Sequence, residues 1–74
     1  MSRVIVFKTN VCTPEDAGFV IGELNTFFHV CSFHFDLEDC DRILRAETIN
    51  CEIYPARIIS CLQHLGFQCE ELTD

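Results

Sequence analysis

The stretch Thr9-Asn10-Val11-Cys12-Thr13-Pro14-Glu15-Asp16 puts one thiol at the opening of a helix. The positive end of a helix makes a thiol more acidic, hence a better ligand for a soft metal such as Cu(I) or Zn(II), alone or with a cysteine from a partner. The plainer reading makes Cys12 a loop residue beside a helix cap, packed on apolar neighbours. A lone thiolate is a poor metal site, so the plainer reading is favoured and Cys12 stands as the one candidate metal ligand. The other cysteines are at 31, 40, 51, 61 and 69. No two of the six are spaced C-x-x-C, so neither a zinc ribbon nor a thioredoxin-type redox pair is supported. His29 and Cys31 lie two apart, on one strand face, but without a second pair they read as a surface histidine near a core cysteine. His34 and His64 read as solvated. The acids Asp36, Glu38, Asp39 and Asp41 lack the glycine-centred loop and terminal Glu of a calcium site and read as a solvated turn, balanced by Arg42 and Arg45. Thr9 and Thr13 have no glycine-rich cradle for a phosphate. No nucleophile stands in a recognised elbow and no Ser/His/Asp or Cys/His set assembles from spacing, so the chain reads as non-catalytic.

Several elements must hold these residues. Val4-Ile5-Val6-Phe7-Lys8-Thr9 is β-branched and aromatic, the composition of a central strand. Thr13 can cap the helix that follows, with Pro14 at its first position and Glu15 and Asp16 at its positive end. Asp16, three residues on, comes close to a capping box. Ala17, Val20, Ile21, Leu24 and Phe28 then recur at helical spacing. From His29 to Leu37 the period becomes two, with Cys31, Phe33, Phe35 and Leu37 on the apolar face. Glu38-Asp39-Cys40-Asp41 makes a turn, and Arg42 to Glu47 returns as the second strand of a hairpin, Leu44 and Ala46 inward with Ile43 competing. A second helix begins near Ile53-Tyr54-Pro55, buries Ile58, Cys61, Leu62 and Leu65, and ends at Gly66. Phe67 to Leu72 supplies a last strand. The order β-α-β-β-α-β, with right-handed crossovers, predicts an α+β ferredoxin-like sandwich over residues 1–74, read as one domain. It has a four-stranded antiparallel sheet with two helices on one face.

Composition narrows the classes. The 74 residues are 49% hydrophobic, with seven Phe, and 23% charged, which suits a packed globule and not a disordered segment. Twelve acids against five bases give a net charge of −7, which disfavours nucleic acid and anionic membranes. The apolar run Val4 to Phe7 is shorter than a signal-peptide core of roughly 7–15 residues. No window reaches the ~18 apolar residues of a membrane span. The expected address is the cytoplasm, with the thiols reduced and mostly serving as small core residues.

At the level of whole segments the chain resembles the heavy-metal-associated domains of copper chaperones and metal-transport ATPases, from about Val4 to Leu72. "VIVFKTNV" resembles that family's first strand and the approach to its metal loop, and "HVCSFHFDLEDCDRILRAE" its second strand, turn and third strand. "IYPARIISCLQHLGFQCEEL" resembles its second helix, Gly-aromatic turn and last strand. The resemblance implies soft-metal binding by two cysteines in a G-M-x-C-x-x-C loop. Laid on that motif, "NVCTPED" puts Val11 at the methionine and Cys12 one place before the first cysteine, with Thr13 and Asp16 on the two cysteine positions. Both family ligands are absent, while Phe67 matches the aromatic beside the family's loop.

The resemblance therefore implies a degenerate, non-catalytic binding module without the tight Cu(I)/Zn(II) site and without another cofactor. Such a module would act through protein contacts or through weak, altered metal binding. Two alternatives are a chaperone-like metal domain using Cys12 and an ACT-like small-molecule regulatory module. The second is disfavoured because "TNVCTPED" lacks the glycine-bearing turn that ACT domains carry after the first strand. RNA recognition would need aromatics on the third strand, and "RILRAE" has none. The open sheet face is the surface for a protein partner or a second copy. Val30, Ser32, His34 and Asp36 are expected there, with Ile43 or Leu44 and with Ile5 or Val6.

Overall fold

The computed structural model describes residues 3–28, 31–38, 42–48 and 54–72. Strand β1 (Arg3–Thr9) leads into helix α1 (Pro14–Phe27), then the hairpin β2 (Ser32–Asp36) and β3 (Ile43–Thr48). Helix α2 (Pro55–His64) and strand β4 (Cys69–Glu71) complete the chain. The sheet order is β2-β3-β1-β4 and every pairing is antiparallel. This is the ferredoxin-like α+β arrangement.

One strand face and both helices share one core. Ile5, Phe7, Phe33, Leu44 and Ala46 from the sheet cluster with Ala17, Val20 and Leu24 of α1 and with Ile58 and Leu62 of α2. These positions follow period two in the strands and period 3.6 in the helices, which is why the sequence specifies both layers. Phe28, just past α1, meets Phe33 edge to face, with ring centroids 6.2 Å apart. That contact ties the end of α1 to β2.

The helix ends follow from local chemistry. The Thr13 hydroxyl accepts a hydrogen bond from the Asp16 amide at 3.1 Å, Pro14 occupies the first turn, and Glu15 and Asp16 sit at the positive end. α2 also starts on a proline, but its cap residue Tyr54 makes no side-chain capping bond. Its exit is a Schellman motif, in which the Phe67 amide donates to the Leu62 carbonyl at 2.9 Å and the Gly66 amide to Gln63 at 3.0 Å. Gly66 takes φ +96°, a left-handed conformation that costs a residue with a Cβ.

Some boundaries differ from the sequence reading. β2 begins at Ser32, because the Cys31 amide turns back to the Phe28 carbonyl instead of joining the ladder. β4 begins at Cys69, because Phe67 is used in closing α2. Leu44 and Ala46 point inward as expected. Ile43 faces the open side yet is only 7% exposed; it lies in register between Lys8 and Asp36, and a lysine stem beside it is suited to cover it. α2 starts at Pro55, as expected, while Ile53 before it, the turn residues Asp39, Cys40 and Asp41, and the open-face Val30 lie outside the described residues.

Candidate functional site

The loop between β1 and α1 is built around Thr9. As the last residue of β1 it points into the core side and is buried. Its hydroxyl donates to the Arg42 carbonyl at 2.7 Å and accepts from the Val11 amide at 3.2 Å. One side chain thus joins β1, the following loop and the hairpin. Arg42 has φ 51°, a left-handed conformation costing roughly 1–2 kcal/mol in a residue with a Cβ, and the Thr9 bond helps hold it there. On the other side of the loop, the Asn10 side-chain carbonyl accepts from the Gln68 amide at 2.8 Å. Val11 is fully buried and Thr13 caps α1. Between these anchors Cys12 is left pointing to the surface.

Thr13 and Asp16 are joined to each other by the cap bond. Cys69 is the cysteine that β4 brings near, in register with Thr9. Burial, reinforced by Glu70, pushes its thiol up to about 12, which raises the cost of forming a thiolate there. Cys61 is also pushed up, by burial first and Glu23 second. It lines a groove of about 660 Å³ between the helices with Phe27, Phe28 and Leu65. A smaller cavity of about 380 Å³ beside the loop is bounded by Thr9, Phe67, Gln68 and Cys69.

None of the described cysteines forms a disulfide. Among the described residues, no three His, Cys, Asp or Glu side chains are grouped so as to hold a metal ion. Cys31 is half-buried, while His29, its suggested partner, and Cys40 and Cys51 lie outside those residues. His34 stands on the open face and His64 in the exposed last turn of α2. Among the described residues, no helix is long and apolar enough to cross a membrane.

The open face carries a second arrangement. Its side chains form rows across the four strands, with His34, Arg45 and Val6 in one and Asp36, Ile43, Lys8 and Glu70 in the next. The Leu72 amide donates to the Val6 carbonyl at 2.8 Å and extends the first row past β4. Val4 is 51% and Leu72 38% exposed, large fractions for aliphatic residues on a sheet.

Sequence reasoning missed Thr9. A β-favouring threonine at a strand end gives no sign that its hydroxyl will meet a carbonyl 33 residues away. Its counterpart Thr48 shares the inward face at the other end of the sheet, 3% exposed, and its hydroxyl has no hydrogen-bond partner among the described residues. The same substitution should have opposite effects at these two sites. Thr9→Val should cost about 1–3 kcal/mol by stranding the Arg42 carbonyl and the Val11 amide. Thr48→Val should be neutral or stabilise by about 1 kcal/mol, since it removes an unsatisfied buried hydroxyl. Urea midpoints of the two variants check this, and equal shifts of the same sign would contradict it.

No family model, curated protein or solved structure matches the chain.

Proposed function

We propose that the domain is a non-catalytic binding module of the heavy-metal-associated type. In it the metal loop has become a helix cap, and the work is done by protein contact at the open sheet face. The observation that carries this is the bond from the Asp16 amide to the Thr13 hydroxyl. The two positions that would hold sulfur in the family hold instead the two halves of a structural cap. The neighbouring polar groups are engaged in the same way: Thr9 with Arg42 and Val11, Asn10 with Gln68. Cys61 and Cys69 are held toward the protonated form, which suits core residues better than nucleophiles. Val4 and Leu72, with Val6 between them, supply the apolar surface on the face the helices leave uncovered.

The test is to restore the missing ligands. A Thr13→Cys/Asp16→Cys double variant, checked for folding by circular dichroism, is titrated with Cu(I) against a competing chelator in strict reduction. If the loop is a converted metal loop, the double variant gains a tight one-to-one site that the wild-type chain lacks. A double variant that binds no tighter than wild type would overturn the assignment of those two positions.

A further inference from the structure

β1 and β2 both run antiparallel to β3, so α1 returns against the direction of β1. α2 joins β3 to β4, which both oppose β1, so the two helices are antiparallel. Glu23 therefore lies toward Cys61, while Phe27 and Phe28, about one turn further along α1, lie toward Arg57 near the start of α2. Between the helices runs the groove of about 660 Å³, a size that suits a small organic molecule. Phe28 is held in its wall by the edge-to-face contact with Phe33. Phe27 is 65% exposed, so the groove presents one anchored phenyl ring and one left to solvent.

Charge selects the ligand. Cys61, within the groove, is raised by burial first and by Glu23 second, so a negative potential reaches that point. Among the described residues no cation pairs with the Glu23 carboxylate. α1 ends beside the two rings with no basic side chain in its last turn, so the negative end of its dipole is uncompensated there. All five Lys and Arg side chains are among the described residues, and of these Arg57 alone lines the groove. Acids placed elsewhere can only deepen the attraction for a cation. Arg57 is exposed and one turn of α2 before Cys61, which steers a cation toward the Glu23 side. Phenyl faces attract cations and repel anions, in the same sense as Glu23.

We propose that the groove between α1 and α2 binds a small organic cation with an aromatic body, its ammonium held by Glu23 and by the rings of Phe27 and Phe28. This site lies on the helical layer, on the other side of the molecule from the open sheet face, and is independent of the reading of that face.

Titration of the reduced, ¹⁵N-labelled chain with 2-phenylethylammonium, followed by amide shifts at constant pH and ionic strength, tests the proposal. The amides of residues 23, 27, 28 and 61 should shift and saturate with a Kd on the order of 1 mM. 3-Phenylpropanoate, an anion with the same ring and a similar chain, should bind about tenfold more weakly or not at all. Glu23→Gln should weaken the cation about fivefold and Phe27→Ala about threefold. Arg57→Gln should tighten it about twofold, an opposite sign that a loosened fold would not give. Phe27 and Arg57 are exposed, so those two variants should keep the wild-type circular dichroism. No saturation by the cation, equal binding of the anion, or indifference to all three substitutions would overturn the site. Groove amides that shift with protein concentration alone would instead give the groove to a second copy, and would overturn it too.

Discussion

Leu62→Ala and Phe33→Ala should each remove about 2–5 kcal/mol of folding stability. Leu62 is fully buried on the inner stripe of α2, and its carbonyl accepts the Phe67 amide that closes the helix. Truncation there opens a cavity where α2 hands the chain to β4. Phe33 is buried on the inner face of β2 and holds Phe28 edge to face, so its loss also loosens the end of α1. A domain of 74 residues has only ~5 kcal/mol to lose, so either change can leave the chain largely unfolded at 25 °C. Phe27→Ala is the control. Phe27 is an exposed aromatic on the same helix as the core residues, and its loss should change stability by no more than about 0.5 kcal/mol. Urea denaturation of the three variants separates the cases, and wild-type midpoints for Leu62→Ala and Phe33→Ala would contradict the assigned core.

Stability should also fall on the alkaline side, through the buried thiols. Cys69 is raised from 9.0 to about 12 in the folded chain, and Cys61 is raised as well. In the unfolded chain both ionise near their ordinary value. Above pH 9 the unfolded state therefore binds fewer protons than the folded state, and stability decreases as pH rises. The contribution is complete below pH 9 and is lost progressively toward pH 12, at up to about 1 kcal/mol per pH unit for Cys69. The check is the urea midpoint from pH 8 to 10.5 for wild type and Cys69→Ala. The variant starts lower because it loses buried volume, but its midpoint should fall less steeply. Equal slopes would contradict a protonated, buried Cys69.

How far the sequence foretold these features depended on how local their causes are. Thr13-Pro14-Glu15-Asp16 announced the start of α1 because cap, proline and acids act within one turn. Gly66 announced the end of α2 for the same reason. Leu44 and Ala46 were legible as inward residues through period two, but Ile43 was not, because its cover depends on neighbours on two other strands. Phe67 looked like a strand residue until α2 used its amide in the Schellman turn. At the candidate site, the absence of a cysteine pair was plain in "NVCTPED". The reason the loop nevertheless holds its shape was not, because the Thr9–Arg42 and Asn10–Gln68 bonds cross 33 and 58 residues of chain. Which described charges share the open face became legible only through the strand registers.

The central claim is that this loop caps a helix and holds no tight soft-metal site. The most direct measurement is a Cu(I) competition titration against a chelator of known affinity, under strict reduction, on wild type and on Cys12→Ser. Cys12 is exposed, Thr13 is committed to the Asp16 amide, and burial makes a thiolate at Cys69 costly. The expected result is weak binding, unchanged by the substitution. Tight one-to-one binding by wild type, lost in Cys12→Ser, would contradict the account and make Cys12 a metal ligand.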